Sequence, residues 1–293
     1  MHNPIPLIQG DGPLLVFGGP YGNLEATRAV LTTAAGFSIP HERVICTGDV
    51  VAYCADAAAT VRLVRDTIPH VVMGNCEENL AAGAMDCGCG FPVNSECERL
   101  SHAWFTHAAR QLGEDELNWM RQLPRRIDIE LNDLRLAAVH GGVTTINQFI
   151  FASTDNKIKK QEIDCAQADG VIAGHCGLPF TQIIDGRLWH NAGAIGMPAN
   201  DGTPRVWYSI LSPSENGISI VHHAIDYDHE SAAAKMRQTG LPEGYATALV
   251  NGLWPSCDVL PSKETRERGI PLEKGRTVSW QPISRTRRLT RSV

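Results

Sequence analysis

The stretch LLVFGGPYGNLEATRAVL (Leu14–Leu31) opens with an apolar run, turns through two glycines and a proline, and continues at helical spacing. A short apolar run bounded by Gly-Gly-Pro suits a buried strand, and Leu24 to Ala35 repeats its apolar residues at the period of a helix packed on one face. The turn after such a strand is where α/β proteins place their chemistry. Here that turn is Gly18-Gly19-Pro20-Tyr21, with no charged ligand in it.

The same rhythm recurs downstream. RVICTGDV (Arg43–Val50) precedes a helical pattern over Ala57–Thr67, and HVVMGNC (His70–Cys76) precedes a glycine- and cysteine-rich loop. Strand, turn and helix in succession imply βαβ units and a sheet covered on its faces. Ser101–Gln122 reads as helix with a break near Gly113, and His229–Gly240 as a late helix. Between them the character changes. RRIDIELNDLRLAAVHGG predicts a hairpin turning at Asn132-Asp133, and GVIAGHCGLPF, QIIDGRLWHNAGAIG, RVWYSIL and GISIVHHAIDY predict further strands, with antiparallel pairing.

A chain of 293 residues with no low-complexity linker is read as one large domain over residues 12–256, followed by a tail over 257–293 that loses periodicity. That tail carries Lys263, Arg266, Arg268, Lys274, Arg276, Arg285, Arg287, Arg288 and Arg291. It is read as a solvated, partly irregular segment, with a phosphate- or partner-binding arm as the other reading. A net charge of −6 argues against a nucleic-acid surface on the main body. No apolar run is long enough to span a bilayer, and no secretory signal pattern opens the chain, so a cytoplasmic, membrane-free protein is expected. Nine cysteines in a reducing compartment argue against a disulfide framework.

Four motifs place a metal-ligand residue just after an apolar strand: Thr47-Gly48-Asp49-Val50, Met73-Gly74-Asn75-Cys76-Glu77, Val139-His140-Gly141-Gly142 and Ala173-Gly174-His175-Cys176. A carboxylate, an amide oxygen and two imidazoles suit a divalent ion, and flanking glycines let backbone approach it closely. Each motif alone is weak. Their recurrence in one local context is the signal.

At these residues the chain resembles the calcineurin-like metallophosphoesterase superfamily, in particular its compact bacterial phosphodiesterase and phosphatase branch. The resemblance runs from about Leu14 to Gly252 and is carried by GGPYGNLEA, GDVVAYCAD, GNCEENL, VHGG, GHCGLPF and NAGAIGMPANDGTPR. It implies a four-layer α/β/β/α sandwich with two mixed sheets. It also implies two metals, the first held by an Asp and a His of the opening motif, the bridging Asp and the last His. The second takes the bridging Asp, the Asn, a His and the penultimate His. Here the opening Asp and His align with Gly19 and Tyr21, the His of Gly-Asn-His with Cys76, and the last His with Gly177. Every ligand private to the first metal is gone, whereas those of the second survive as Asp49, Asn75, His140 and His175.

The resemblance therefore implies a metal-dependent phosphoesterase with an altered, one-ion centre for zinc, iron or manganese, acting on a small phosphorylated substrate. Asp49, Asn75, Cys76 and His140 are the expected catalytic residues, although a thiol at Cys76 cannot reproduce a cationic imidazole. The alternative is a catalytically impaired metal- or phosphate-binding protein under thiol control. Cys54 and Cys176 lie beside ligand-bearing loops, either as small core residues or as softer ligands. Glu77, Tyr21, His190 and Asn191 complete the candidates for further ligands or supports, with Tyr21 expected to fill the vacated metal pocket. No role is assigned to Cys87, Cys89 or Cys97.

Overall fold

The computed structural model describes residues 4–282. The chain runs through β1 (Leu7–Ile8), β2 (Leu14–Phe17), α1 (Leu24–Gly36), β3 (Val44–Cys46), α2 (Ala57–Thr67), β4 (His70–Val71) and α3 (Asn75–Ala82). It continues with α4 (Glu96–Gln111), α5 (Glu114–Gln122), β5 (Arg126–Leu131), β6 (Leu134–Val139), α6 (Asn156–Ala166), β7 (Gly170–Ala173), β8 (Phe180–Ile184) and β9 (Arg187–Asn191). The last elements are β10 (Val206–Ser214), β11 (Gly217–Ile225), α7 (His229–Gln238), α8 (Glu243–Asn251), α9 (Ser262–Arg266) and β12 (Thr277–Trp280).

Local chemistry explains the punctuation. Asn23 caps α1 by accepting from the Ala26 N–H at 3.1 Å, so Gly-Asn-Leu-Glu-Ala is a turn and N-cap in one motif. The Gly113 N–H donates to the Glu116 carboxylate at 2.9 Å, which starts α5 afresh after α4. Asn132 and Asp133 both take left-handed φ, 52° and 61°, as a two-residue hairpin turn requires.

The strands form two mixed six-stranded sheets, ordered β12-β11-β10-β2-β3-β4 and β1-β5-β6-β7-β9-β8. Within the first, β2, β3 and β4 run parallel and β10, β11 and β12 are added antiparallel. Strand periodicity decides the layers. Leu14 and Val16 of β2 meet Leu136 and Ala138 of β6 in a core between the sheets, while Leu15 and Phe17 join the helices. On the far face, Ala137 and Val139 pack with Ile163 and Ala166 of α6. The result is a four-layer α/β/β/α sandwich. No helix among the described residues is long and apolar enough to cross a membrane.

The chain does not leave the fold at residue 257. The Glu264 carboxylate accepts from Ser153 N–H at 2.9 Å and Oγ at 2.6 Å, β12 pairs with β11, and Trp280 is fully buried. One apolar anchor in a polar stretch leaves no periodic signal, which is why the segment reads as a tail. Arg285, Arg287, Arg288 and Arg291 lie outside the described residues.

Candidate metal centre

Asp49 follows β3, Asn75 follows β4, His140 follows β6 and His175 follows β7, so two strand ends from each sheet converge on one point. Ligand atoms of Asp49, His140 and His175 all lie within 4.8 Å of one another. His140 Nε2 stands 3.2 Å from Asp49 Oδ2, 3.0 Å from Asn75 Oδ1 and 3.1 Å from His175 Nδ1. Asp49 and His175 adopt left-handed φ of 53° and 60°, the kind of strained backbone that clusters at functional sites.

The donor set fits a small divalent cation. His140 Nδ1 is 2.7 Å from the Thr47 carbonyl, which can only accept, so that nitrogen carries the proton and neutral His140 offers a lone pair at Nε2. Asn75 Nδ2 donates to the Cys87 carbonyl at 2.9 Å, turning Oδ1 toward the cluster. An imidazole nitrogen, an amide oxygen and a carboxylate oxygen therefore aim acceptors at one place, beside a second imidazole. Only a cation or a proton reconciles them, and the two compete.

Electrostatics agree. Burial works to raise the Asp49 carboxyl, but His140, with His175 and the Cys76 hydrogen bond adding to it, holds the group below the usual range. Burial conversely opposes charge on His140, and Asp49 overcomes it to leave that imidazole raised. His175 is pulled down to about 3 by burial and then by His140, so it is neutral, as a ligand must be.

The space between Gly19 and Gly177, beside this cluster, is filled by rings. A Cβ at Gly19 would fall 2.2 Å from Tyr21 Cζ, and one at Gly177 would sit 3.8 Å from the Tyr21 hydroxyl and 3.4 Å from Trp254 Cζ2. Tyr21 therefore spans the space between the two positions, with Trp254 covering Gly177. Edge-on packing of Tyr21 against Tyr53, at 4.9 Å between centroids, braces it. Burial, and then the Asp49 charge, keep the Tyr21 hydroxyl protonated.

The remaining candidates hold the loops in place. Glu77, fully buried, accepts from the N–H groups of Asp49 (2.9 Å), Gly74 (3.0 Å) and Val51 (3.2 Å). Burial, followed by Asp49, lifts its carboxyl to about 7. Cys76 serves Asp49 through its backbone, whose N–H donates to Oδ1 at 3.2 Å; its buried thiol is driven upward by burial and stays neutral. Asn191 donates to the Gly174 carbonyl at 2.7 Å and to Cys176 Sγ at 3.2 Å, tying down the His175 loop. Cys54 and Cys176 are buried, and burial raises both thiols, that of Cys176 to about 12. Among the described residues no sulfur joins the ligand cluster.

His190 does not turn to the centre. Its Nδ1 bonds Thr181 Oγ1 at 2.9 Å, and the same hydroxyl reaches His222 Nε2 at 2.7 Å. Neighbours on a strand face opposite ways, so with Asn191 committed to the ligand loop His190 points elsewhere. A disulfide joins Cys87 to Cys89 and the other seven cysteines are free. Sequence reasoning missed Thr47, whose carbonyl sets the His140 tautomer, and the aromatics Phe149, Tyr245 and Trp254. Phe149 lies 4.1 Å from His175 between ring centroids. The run Gln148-Phe-Ile-Phe151 after His140 carried the one available hint, an apolar loop beside a ligand.

A family model described as the calcineurin-like phosphoesterase superfamily domain matches residues 21–216. The uncharacterized protein MJ0912 of Methanocaldococcus jannaschii is 23% identical over 257 residues, covering 82% of this chain and 98% of that one. A metallophosphoesterase from Sphaerobacter thermophilus superposes with a TM-score of 0.65 at 24% identity, covering 83% of this chain and all of its own. The hypothetical protein PH1004 from Pyrococcus horikoshii does so at 0.66 and 14%, covering 83% of this chain and 99% of its own. At these identities the solved structures speak for the fold.

Proposed function

The chain belongs to the calcineurin-like phosphoesterase superfamily, and from that premise we propose that it hydrolyses a small phosphate ester at a centre for one divalent transition-metal ion, zinc, iron or manganese. Asp49, Asn75, His140 and His175 would hold the ion. The observation that carries this reading is the convergence of Asp49 Oδ2, Asn75 Oδ1 and His175 Nδ1 on His140 Nε2, while Tyr21 fills the neighbouring half-site. The chemistry an ion supplies there is charge neutralisation on a phosphoryl oxygen and activation of water.

The chain's own groups do the rest. His140 keeps its Nδ1 proton on Thr47, and Glu77 holds the Asp49 loop by accepting backbone N–H groups. The protonated Tyr21 hydroxyl would donate a hydrogen bond to the phosphoryl group. The neutral Cys76 thiol adds no positive charge.

That last feature favours a second reading, a protein that binds metal and phosphate with little turnover and responds to thiol chemistry. Assays on an aryl phosphate monoester and diester with manganese, zinc and iron, run beside His140→Ala, separate the two. Hydrolysis that depends on metal and drops at least ~100-fold in the variant supports the enzyme. Identical trace rates in both proteins leave only the binding reading.

A further inference from the structure

A small cleft, open to solvent on one side, lies directly on His175. Tyr21, Tyr53, Phe149, Tyr245 and Trp254 give it aromatic walls. Tyr53 packs on Tyr245 at 4.7 Å and on Trp104 at 5.3 Å between centroids, so the wall is braced from behind. Trp254 spends its indole N–H on the Pro198 carbonyl at 2.6 Å, leaving the hydrocarbon edge of the ring over Gly177.

Among the described residues no Lys, Arg, Asp or Glu borders the cleft, and its one imidazole, His175, belongs to the ligand cluster. A diphosphate or triphosphate chain would bring several negative charges to a place that offers partners for one phosphoryl group, and unpaired charge is strongly disfavoured away from water. Flat apolar rings suit these walls, through area and through edge or offset stacking. Among the described residues the lining also lacks a carboxylic acid or a free imidazole to protonate a departing alkoxide. A phenolic oxygen departs as a stable anion and needs no such acid.

We propose that the substrate is an aryl phosphate ester, with its ring in the cleft and the phosphoryl group as its only charge. The proposal rests on the hydrolase reading of the same centre. Water oxygen forms the new bond to phosphorus as the bond from phosphorus to the aryl oxygen breaks. The phenolate leaves with the bonding pair and takes up one proton of the water, while the other stays on the released phosphate.

Binding tests it apart from turnover. Phenylphosphonate, methylphosphonate and pyrophosphate are titrated calorimetrically into manganese-loaded protein, and 2-naphthol is titrated into the purified protein with its own fluorescence as readout. Phenylphosphonate should bind at least about tenfold tighter than methylphosphonate and tighter than pyrophosphate, from the apolar area its ring buries. Phe149→Ala should lower that ratio, and 2-naphthol should bind. Equal phosphonate affinities, a preference for pyrophosphate or silence toward 2-naphthol overturns the proposal. If metal-dependent hydrolysis persists alongside such a result, the phosphoesterase reading stands without the aryl specificity. If the aryl preference holds with no hydrolysis, the ligand class stands and the enzyme reading falls.

Discussion

The ring of Tyr21 stands where a side chain on Gly19 would have to go: a Cβ at residue 19 would lie 2.2 Å from Tyr21 Cζ. The two residues are therefore one device. Gly19 also has φ +41°, a conformation other residues adopt at a cost, and its N–H donates to the Gly48 carbonyl at 3.1 Å, so the backbone has little freedom to retreat. Gly19→Asp alone should destabilise the protein by about 2 kcal/mol or more. Adding Tyr21→His should recover part of that loss, since it removes the overlapping ring. Urea unfolding of both variants checks this, and a single variant as stable as wild type would show that the ring yields freely.

Glu77 is a carboxylate facing three backbone donors. In Glu77→Gln, one end of the side chain becomes an NH2 group and confronts N–H groups that have lost their acceptor. The expected cost is about 2 kcal/mol of stability and roughly tenfold in metal affinity, because Asp49 loses the clasp that orients its loop. Thermal unfolding with and without manganese reads both effects. Loss of affinity with no loss of stability would instead make Glu77 a direct ligand.

Acid should weaken the fold through a chain of buried neutral imidazoles. His222 sits between Thr181 Oγ1 at 2.7 Å and Ser209 Oγ at 3.0 Å. Burial first, with Arg276 and His223 adding to it, lowers its pKa from 6.5 to about 4. The unfolded chain thus takes up a proton between about pH 6.5 and pH 4 that the folded chain refuses, so stability falls as pH falls through that window, by up to about 3 kcal/mol. Urea midpoints at pH 7, 5.5 and 4.5 should drop more steeply in wild type than in His222→Gln. Parallel slopes would place the acid sensitivity elsewhere.

Trp280 closes the edge of one sheet. It is fully buried, pairs opposite Ile218 and donates its indole N–H to the Gly186 carbonyl at 3.0 Å. Trp280→Ala should cost about 3–5 kcal/mol, the range for emptying a large aromatic site in a core. A change under about 1 kcal/mol by chemical denaturation would mean that the sandwich does not need its last strand.

Much of the candidate centre was legible because each of its residues is a local event. Asp49, Asn75, His140 and His175 each follow an apolar strand, and a parallel strand delivers its carboxyl end to the same edge as its neighbour. The residue types at Gly19, Tyr21 and Gly177, where the resemblance implies ligands of a first metal, were equally visible. His190 shows where such reading stops: a histidine next to Asn191 in the chain lies on the other face of the same strand. Cys54, Cys76 and Cys176 show it again, because proximity in sequence to a ligand loop does not aim a sulfur at the ligand. The C-terminal segment, anchored by Trp280 and Glu264, carries no period because it packs through single residues.

What the sequence determined by itself was the succession of strands along the chain and the candidate ligands that follow them, both written in short-range pattern. What only the tertiary structure decided was which rings join Tyr21 beside the candidate centre and what kind of cleft adjoins it. Phe149 comes from the loop after β6 and Tyr245 and Trp254 from in and just beyond α8, and none of the three is marked by spacing or motif. They become one wall only when the two sheets and the late helices close around His175, because apolar rings are recruited by the surface they can bury rather than by their place along the chain.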